Sequence, residues 1–104
     1  MLMITTFDVL AEPTRRRIIE ELGKGECPVS TLVAKLKMSQ PAVSKQLRVL
    51  RESGMAVVRR DGQKRIYRLD AEPLKELDQW LAPFRAYWEP RLDAMEKTLD
   101  SMEN

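Results

Sequence analysis

The stretch SQPAVSKQLRVLRESG, Ser39 to Gly54, decides the fold of this chain. Ser39 is a good N-cap, and Pro41 sits in the first turn, where proline is tolerated. Gly54 offers the left-handed residue on which helices commonly end. Between them Val43, Leu47 and Leu50 recur at i, i+4 and i+7, one apolar helix face, and these three are assigned to the core. Off that face lie Gln40, Ser44, Lys45, Arg48 and Arg51, and the only acid in the run is Glu52. Either this polar side is merely solvated, or it is shaped for a polyanion.

Working upstream, Ser30 reads as the cap of a short helix, TLVAKLK, with Leu32, Val33 and Leu36 inward. Only Lys37, Met38 and Ser39 separate it from the helix that follows. Two short helices joined so tightly must cross steeply, which is a helix-turn-helix. Further back, TRRRIIEELG buries Ile18, Ile19 and Leu22 and stops at Gly23, with Pro13 in its first turn and GKGECP as a turn after it. Thr5 to Ala11 reads as a short helix that exposes Phe7 and Leu10 on one side. Downstream of Gly54 the period changes. Ala56–Arg60 and Lys64–Leu69 are β-rich runs around Asp61-Gly62, a strong hairpin signal, with Ile66 and the outer valines toward the helices. A helix-turn-helix followed by a basic hairpin is a winged helix, mainly α with a β-hairpin wing.

The remainder is helical in character. Leu74, Leu77, Leu81, Phe84, Trp88, Leu92, Met95, Leu99 and Met102 form nearly a heptad seam with one four-residue insertion. A helix over 73–102 would be roughly 45 Å long, with a kink or break expected at Pro83 or Pro90. So long a stripe cannot be covered by so small a body, and part of it is expected to meet another chain. The chain therefore divides into a winged-helix body, residues 1–72, and a C-terminal dimerisation extension of the same domain, residues 73–104.

Composition narrows the function. The 104 residues contain no histidine and one cysteine, Cys27. Without histidine the commonest general base and transition-metal ligand are missing, so an enzyme is not expected. A disulfide framework is excluded within one chain, and no cofactor and no metal are expected. No apolar run spans a bilayer, and no basic stretch precedes an apolar one at the N-terminus, so a cytoplasmic protein without a membrane partner is expected. The net charge of +2 hides an asymmetry. Residues 1–34 hold four Lys/Arg and five Asp/Glu, residues 35–68 hold ten and two, and residues 69–104 hold four and nine. The middle third is thus a localised polyanion-binding surface.

AEPTRRRIIEEL, SQPAVSKQLRVLRESGMAVVRRDGQKRIYRL and the trailing helix together resemble the ArsR-type winged-helix transcriptional repressors of bacteria, over nearly the whole chain. The tail LDQWLAPFRAYWEPRLDAME is most similar to the branch without metal sites. Metal-sensing relatives carry a Cys-x-Cys pair before the recognition helix, at positions held here by Pro28 and Ser30, and a second site on the C-terminal helix lacks its histidines. Lys37 stands where the turn usually has glycine, so a retained left-handed geometry would carry a strain of order 1 kcal/mol.

The resemblance implies a homodimeric repressor of a palindromic DNA operator. Ser39, Gln40, Ala42, Ser44, Lys45 and Gln46 lie in the N-terminal half of the recognition helix, the part that enters a major groove. Gln40 and Gln46 can hydrogen-bond adenine edges, Lys45 can meet guanine or phosphate, and Ala42 can touch a thymine methyl. Arg48 and Arg51 are open between phosphate contact and intramolecular pairing. Arg59, Arg60, Lys64 and Arg65 on the wing are assigned to backbone or minor groove. Of Arg15, Arg16 and Arg17, one can contact phosphate while the others pair with acids. Phe7, Leu10, Leu77, Leu81, Phe84, Trp88, Leu92, Met95 and Leu99 are assigned to the dimer interface. Trp80, Phe84, Tyr87 and Trp88 can instead line an effector pocket, and Cys27 is read as a small buried hydrophobe ahead of a redox sensor. The alternative function is a winged-helix interaction module that binds an acidic protein or RNA through the basic face.

Overall fold

The computed structural model describes residues 5–89. Five α-helices, three short strands and a 3-10 helix follow in the order α1 (Thr6–Leu10), α2 (Pro13–Gly23), β1 (Cys27–Pro28), α3 (Val29–Leu36), α4 (Gln40–Glu52), β2 (Ala56–Asp61), β3 (Lys64–Leu69), α5 (Glu72–Leu81) and the 3-10 helix Ala82–Tyr87. The architecture is the winged helix-turn-helix.

The starts of α1, α2 and α4 are each explained by a capping side chain. Thr5 and Asp8 form a reciprocal capping box on α1: the Asp8 N–H donates to Thr5 Oγ1 at 3.1 Å, and the Thr5 N–H donates to Asp8 Oδ2 at 2.9 Å. The Glu12 carboxylate accepts from the Thr14 and Arg15 N–H groups at the start of α2. Ser39 caps α4, its hydroxyl oxygen accepting from the Ala42 N–H at 3.2 Å. The end of α4 is a Schellman motif. The Met55 N–H reaches Leu50 O at 2.9 Å, the Gly54 N–H reaches Arg51 O at 3.1 Å, and Gly54 takes φ +81°. Leu50 and Met55, the two apolar residues that such a motif brings together, are both fully buried. Lys37 adopts φ 55° and ψ 42° between α3 and α4, so the left-handed turn is retained without glycine.

The core joins α1 to α4 and the three strands. Val9, Ile18, Leu32, Val43, Leu47, Leu50 and Met55 are fully enclosed, with Leu22, Leu36, Cys27, Ala56 and Tyr67 around them. Each buried leucine or isoleucine contributes about 1.5–3 kcal/mol relative to exposure. The three inward residues of α4 are among them, which leaves its other sides outward.

Several local expectations are corrected. α2 ends at Gly23 as expected, but the glycine of positive φ in the following turn is Gly25. Ser30 lies inside α3, whose N-cap is Pro28 and which has no side-chain cap. GKGECP is not all turn: Cys27 and Pro28 pair antiparallel with Tyr67 and Ile66, so the sheet is three-stranded in the order β1-β3-β2. The hairpin closes on Gly62-Gln63, since Asp61 pairs with Lys64. Gly62 at φ +63° supplies the positive φ that a Gly-X loop takes at its first central position. Moving the loop by one residue slides the pairing by two, which keeps the faces but sets Arg65 rather than Gln63 opposite Arg60. The inward face carries Ala56, Val58, Tyr67 and Leu69, while Ile66 and Val57 share the other face. Adjacent valines at 57 and 58 hide this alternation in the sequence.

The helix expected over 73–102 is interrupted near Pro83. The α-helix ends at Leu81 and continues as the 3-10 turn Ala82–Tyr87, because a proline has no N–H for the i−4 carbonyl. Leu92, Met95 and Leu99 lie outside the described residues. No described residue of α5 is buried. It packs on α1 through Thr6, whose buried hydroxyl donates to Pro73 O at 3.3 Å, and through Phe7 and Trp80. No described helix is long and apolar enough to cross a membrane.

Candidate nucleic-acid interface

The polar side of α4 divides into two flanks about an outer ridge. Gln40, Ser44 and Arg51 fall on one flank and face the wing. Lys45 and Arg48 form the ridge, and Ala42 and Gln46 lie on the opposite flank, both half-buried. Between the first flank and the hairpin runs an open groove of about 460 Å³, with Gln40, Ser44, Arg48 and Arg51 on one wall and Gln63, Lys64, Arg65 and Tyr67 on the other. The start of α3, Pro28 to Ser30, closes one end.

Ion pairing sorts the cations. Lys35 is held by Glu21 at 3.2 Å, Arg48 by Glu52 at 3.0 Å and Arg59 by Glu26 at 2.7 Å. Among the described residues, Lys45, Arg51, Arg60, Lys64 and Arg65 have no carboxylate within ion-pair distance. The pair that left Arg48 ambiguous is therefore formed, whereas Arg51 is left toward the groove. Arg59 sits with Ile66 on the wing face away from Arg60 and Arg65, and its guanidinium meets both oxygens of Glu26. That guanidinium holds the Glu26 carboxyl below its ordinary range, and Glu26 in turn raises Arg59.

Arg60 and Arg65 stand directly opposite each other across β2 and β3, and a second hollow brings them beside Arg51 and Val58. Like charges directly opposite in a sheet destabilise it. Three guanidinium groups converge here without a described counter-ion, a cost to folding that an external polyanion would offset.

Among the described residues neither Arg15 nor Arg16 pairs with an acid, which corrects the expectation for the second helix. Arg15 donates to Val9 O at 2.9 Å, to Asp8 O at 3.0 Å and to Gln46 Oε1 at 3.0 Å. Arg16 donates to Leu10 O. Both satisfy carbonyls that the end of α1 leaves without a helical partner. Glu26 bears on the site and escaped the sequence reading, as did the hold of Arg15 on Gln46. Gln46 lies 31 residues from Arg15 and Arg59 lies 33 from Glu26, beyond any local signature.

A second, chemically different surface lies on α1 and α5. Phe7 meets Trp80 edge-on at 5.5 Å, and Trp80 meets Phe84 at 5.0 Å. These rings pack together yet stay 49%, 55% and 40% exposed, and Trp88 is 52% exposed. Leu10, Leu77 and Leu81 on the same two helices are half-buried, Leu10 against the core. The set is an unfinished apolar face rather than an enclosed effector pocket. Cys27 is buried, and burial pushes its thiol up, away from the reactive thiolate. Among the described residues no three His, Cys, Asp or Glu side chains converge as metal ligands would.

Residues 12–57 match the bacterial regulatory protein, arsR family. The chain is 36% identical to the HTH-type transcriptional regulator Rv2034 of Mycobacterium tuberculosis over 95 residues, which cover 91% of this chain and 86% of that protein. A crystal structure of a possible transcriptional regulator for arsenical resistance is 40% identical, with 94% of this chain and 97% of that one covered and a TM-score of 0.67. The transcriptional repressor BigR from Xylella fastidiosa is 33% identical over 75% of this chain and 81% of its own, with a TM-score of 0.62.

Proposed function

Because the chain belongs to the ArsR family of bacterial regulatory proteins, we propose that it works as a cytoplasmic homodimer repressing transcription from a palindromic operator. It is a DNA-binding transcriptional regulator and not an enzyme. In this reading α4 enters the major groove, with Gln40, Ser44 and Lys45 toward base edges and Ser39 and Ala42 at the entering end. Arg51, Arg60, Lys64 and Arg65 lie along phosphates. Arg48 and Arg59, each already paired, contribute less.

The observation that carries the proposal is the cross-strand pair Arg60–Arg65 opening onto Arg51 beside the recognition helix. A solvated surface gains nothing from such an arrangement, whereas a phosphate backbone neutralises it. The two copies would meet through the aromatic face of α1 and α5, setting half-sites about 34–36 Å apart or a multiple of that. Arsenical resistance in one relative does not carry over to this chain: a single cysteine and no histidine cannot build a soft-metal cage.

The test is selection from a random duplex pool, followed by titration of the selected operator and a scrambled duplex at several salt concentrations. A sequence preference with a steep salt slope is expected. Gln40→Ala should then lose about 1–3 kcal/mol on the operator and little on the scrambled duplex. Equal binding to both duplexes, with tighter binding to RNA or an acidic protein, would overturn the reading.

A further inference from the structure

We propose that Arg15 is a positioning residue that holds Gln46 as a hydrogen-bond donor, so that Gln46 selects guanine or thymine edges rather than adenine. This rests on the reading of α4 as the helix that meets DNA.

The chemistry of the contact sets the orientation. A guanidinium carries donors only, so the group that Gln46 turns to Arg15 at 3.0 Å must be its carbonyl oxygen. The Gln46 amide nitrogen has no hydrogen-bond partner among the described residues, and no buried side-chain polar atom there lacks one, so that NH2 group of the half-buried Gln46 is not fully enclosed. Its neighbour on the ridge is Lys45, in the half of α4 that a major groove receives.

A glutamine reads adenine by using both ends of its amide, accepting from N6 and donating to N7. With the oxygen turned back toward Arg15, only the donor end is presented. Guanine N7 and O6 and thymine O4 are acceptors without a competing donor on the same base edge, and they match that half-amide. Arg15 is itself fastened. Its other two hydrogen bonds hold the Asp8 and Val9 carbonyls at the end of α1, so swinging away to release Gln46 would strip three acceptors at once.

The experiment is random-duplex selection with the full chain, comparing wild type, Gln46→Ala, Arg15→Met and the double variant, with circular dichroism as the folding control. Wild type should select guanine or thymine at one position in each half-site. Gln46→Ala should relax that position alone, by roughly two- to tenfold. Arg15→Met should shift the same position toward adenine, and the double variant should match Gln46→Ala. If Arg15→Met fails to fold, Arg15→Lys, which keeps a donor, should show a weakened guanine or thymine preference at that position. Adenine chosen by wild type at the position that Gln46→Ala relaxes would overturn the proposal. So would a Gln46→Ala variant that leaves every specified position unchanged. Wild type without any sequence preference would instead defeat the DNA-reading proposal beneath it, so the two failures are distinguishable.

Discussion

The groove between α4 and the wing and the aromatic face of α1 and α5 are both incomplete, but in opposite ways. The groove concentrates Arg51, Arg60, Lys64 and Arg65, which no described carboxylate neutralises. The aromatic face sets Phe7, Trp80 and Phe84 against one another and leaves them substantially in water. A cationic groove gains from a polyanion and loses that gain as salt rises. An apolar face gains from another apolar face and is almost indifferent to salt. One small body therefore advertises two partners of different chemistry, and the two surfaces should respond to different perturbations.

The strongest break in that comparison is a charge in the aromatic face. Trp80→Asp should leave the core intact, because Trp80 is 55% exposed and lies outside it, giving up only its ring contacts with Phe7 and Phe84. It should leave only monomer at micromolar concentration in sedimentation. Operator affinity should fall with it by at least roughly 30-fold, the effect of losing one interface anchor of about 2 kcal/mol. Trp88→Asp should act in the same direction. A variant that stays dimeric would remove this face from the interface.

The next contrast lies within the wing. Arg65→Ala should flatten the salt slope by about one unit on operator and scrambled duplex alike. Arg59→Ala should change it much less, because Arg59 is already neutralised by Glu26 on the opposite face. Equal slopes for the two variants would mean that Arg59 leaves Glu26 for DNA.

The smallest effect concerns acid. Hydrogen bonds from the Thr5 backbone and side chain hold Asp8 below its ordinary range. A depressed carboxylate contributes stability above its unfolded pKa and loses it as pH falls through the folded value. Lowering pH below the usual aspartate range should therefore loosen α1, seen as a small change in Trp80 fluorescence. Asp8→Asn should remove that pH dependence, and persistence of the change in the variant would assign it elsewhere.

Much of this division is written locally. The cap at Ser39, the i, i+4, i+7 face of α4 and the stop at Gly54 depend on residues a few positions apart, and each is found as the periodicity implies. The break near Pro83 follows from one missing N–H. The two-residue strand Cys27–Pro28 was not legible, because so short a segment has no period and exists only by pairing with β3. The helix cap expected at Ser30 failed for a related reason: that strand pairing and the α3 start share residues, and Pro28 occupies the capping position.

The sequence by itself determined which helices form, which faces they bury, that a basic hairpin follows the recognition helix, and that the middle of the chain is cationic. These depend on spacing, capping and composition, which act over a turn or two of chain. Only the tertiary structure decided which cations remain available. Arg59 is removed by Glu26, Arg15 is spent on carbonyls and on Gln46, and Arg60 faces Arg65 through a register set by the Gly62-Gln63 turn. Charge and hydrogen-bond donors are counted residue by residue in the sequence, but for Arg15 with Gln46 and Arg59 with Glu26 the partners lie 31 and 33 residues apart. Folding alone brings those partners within reach.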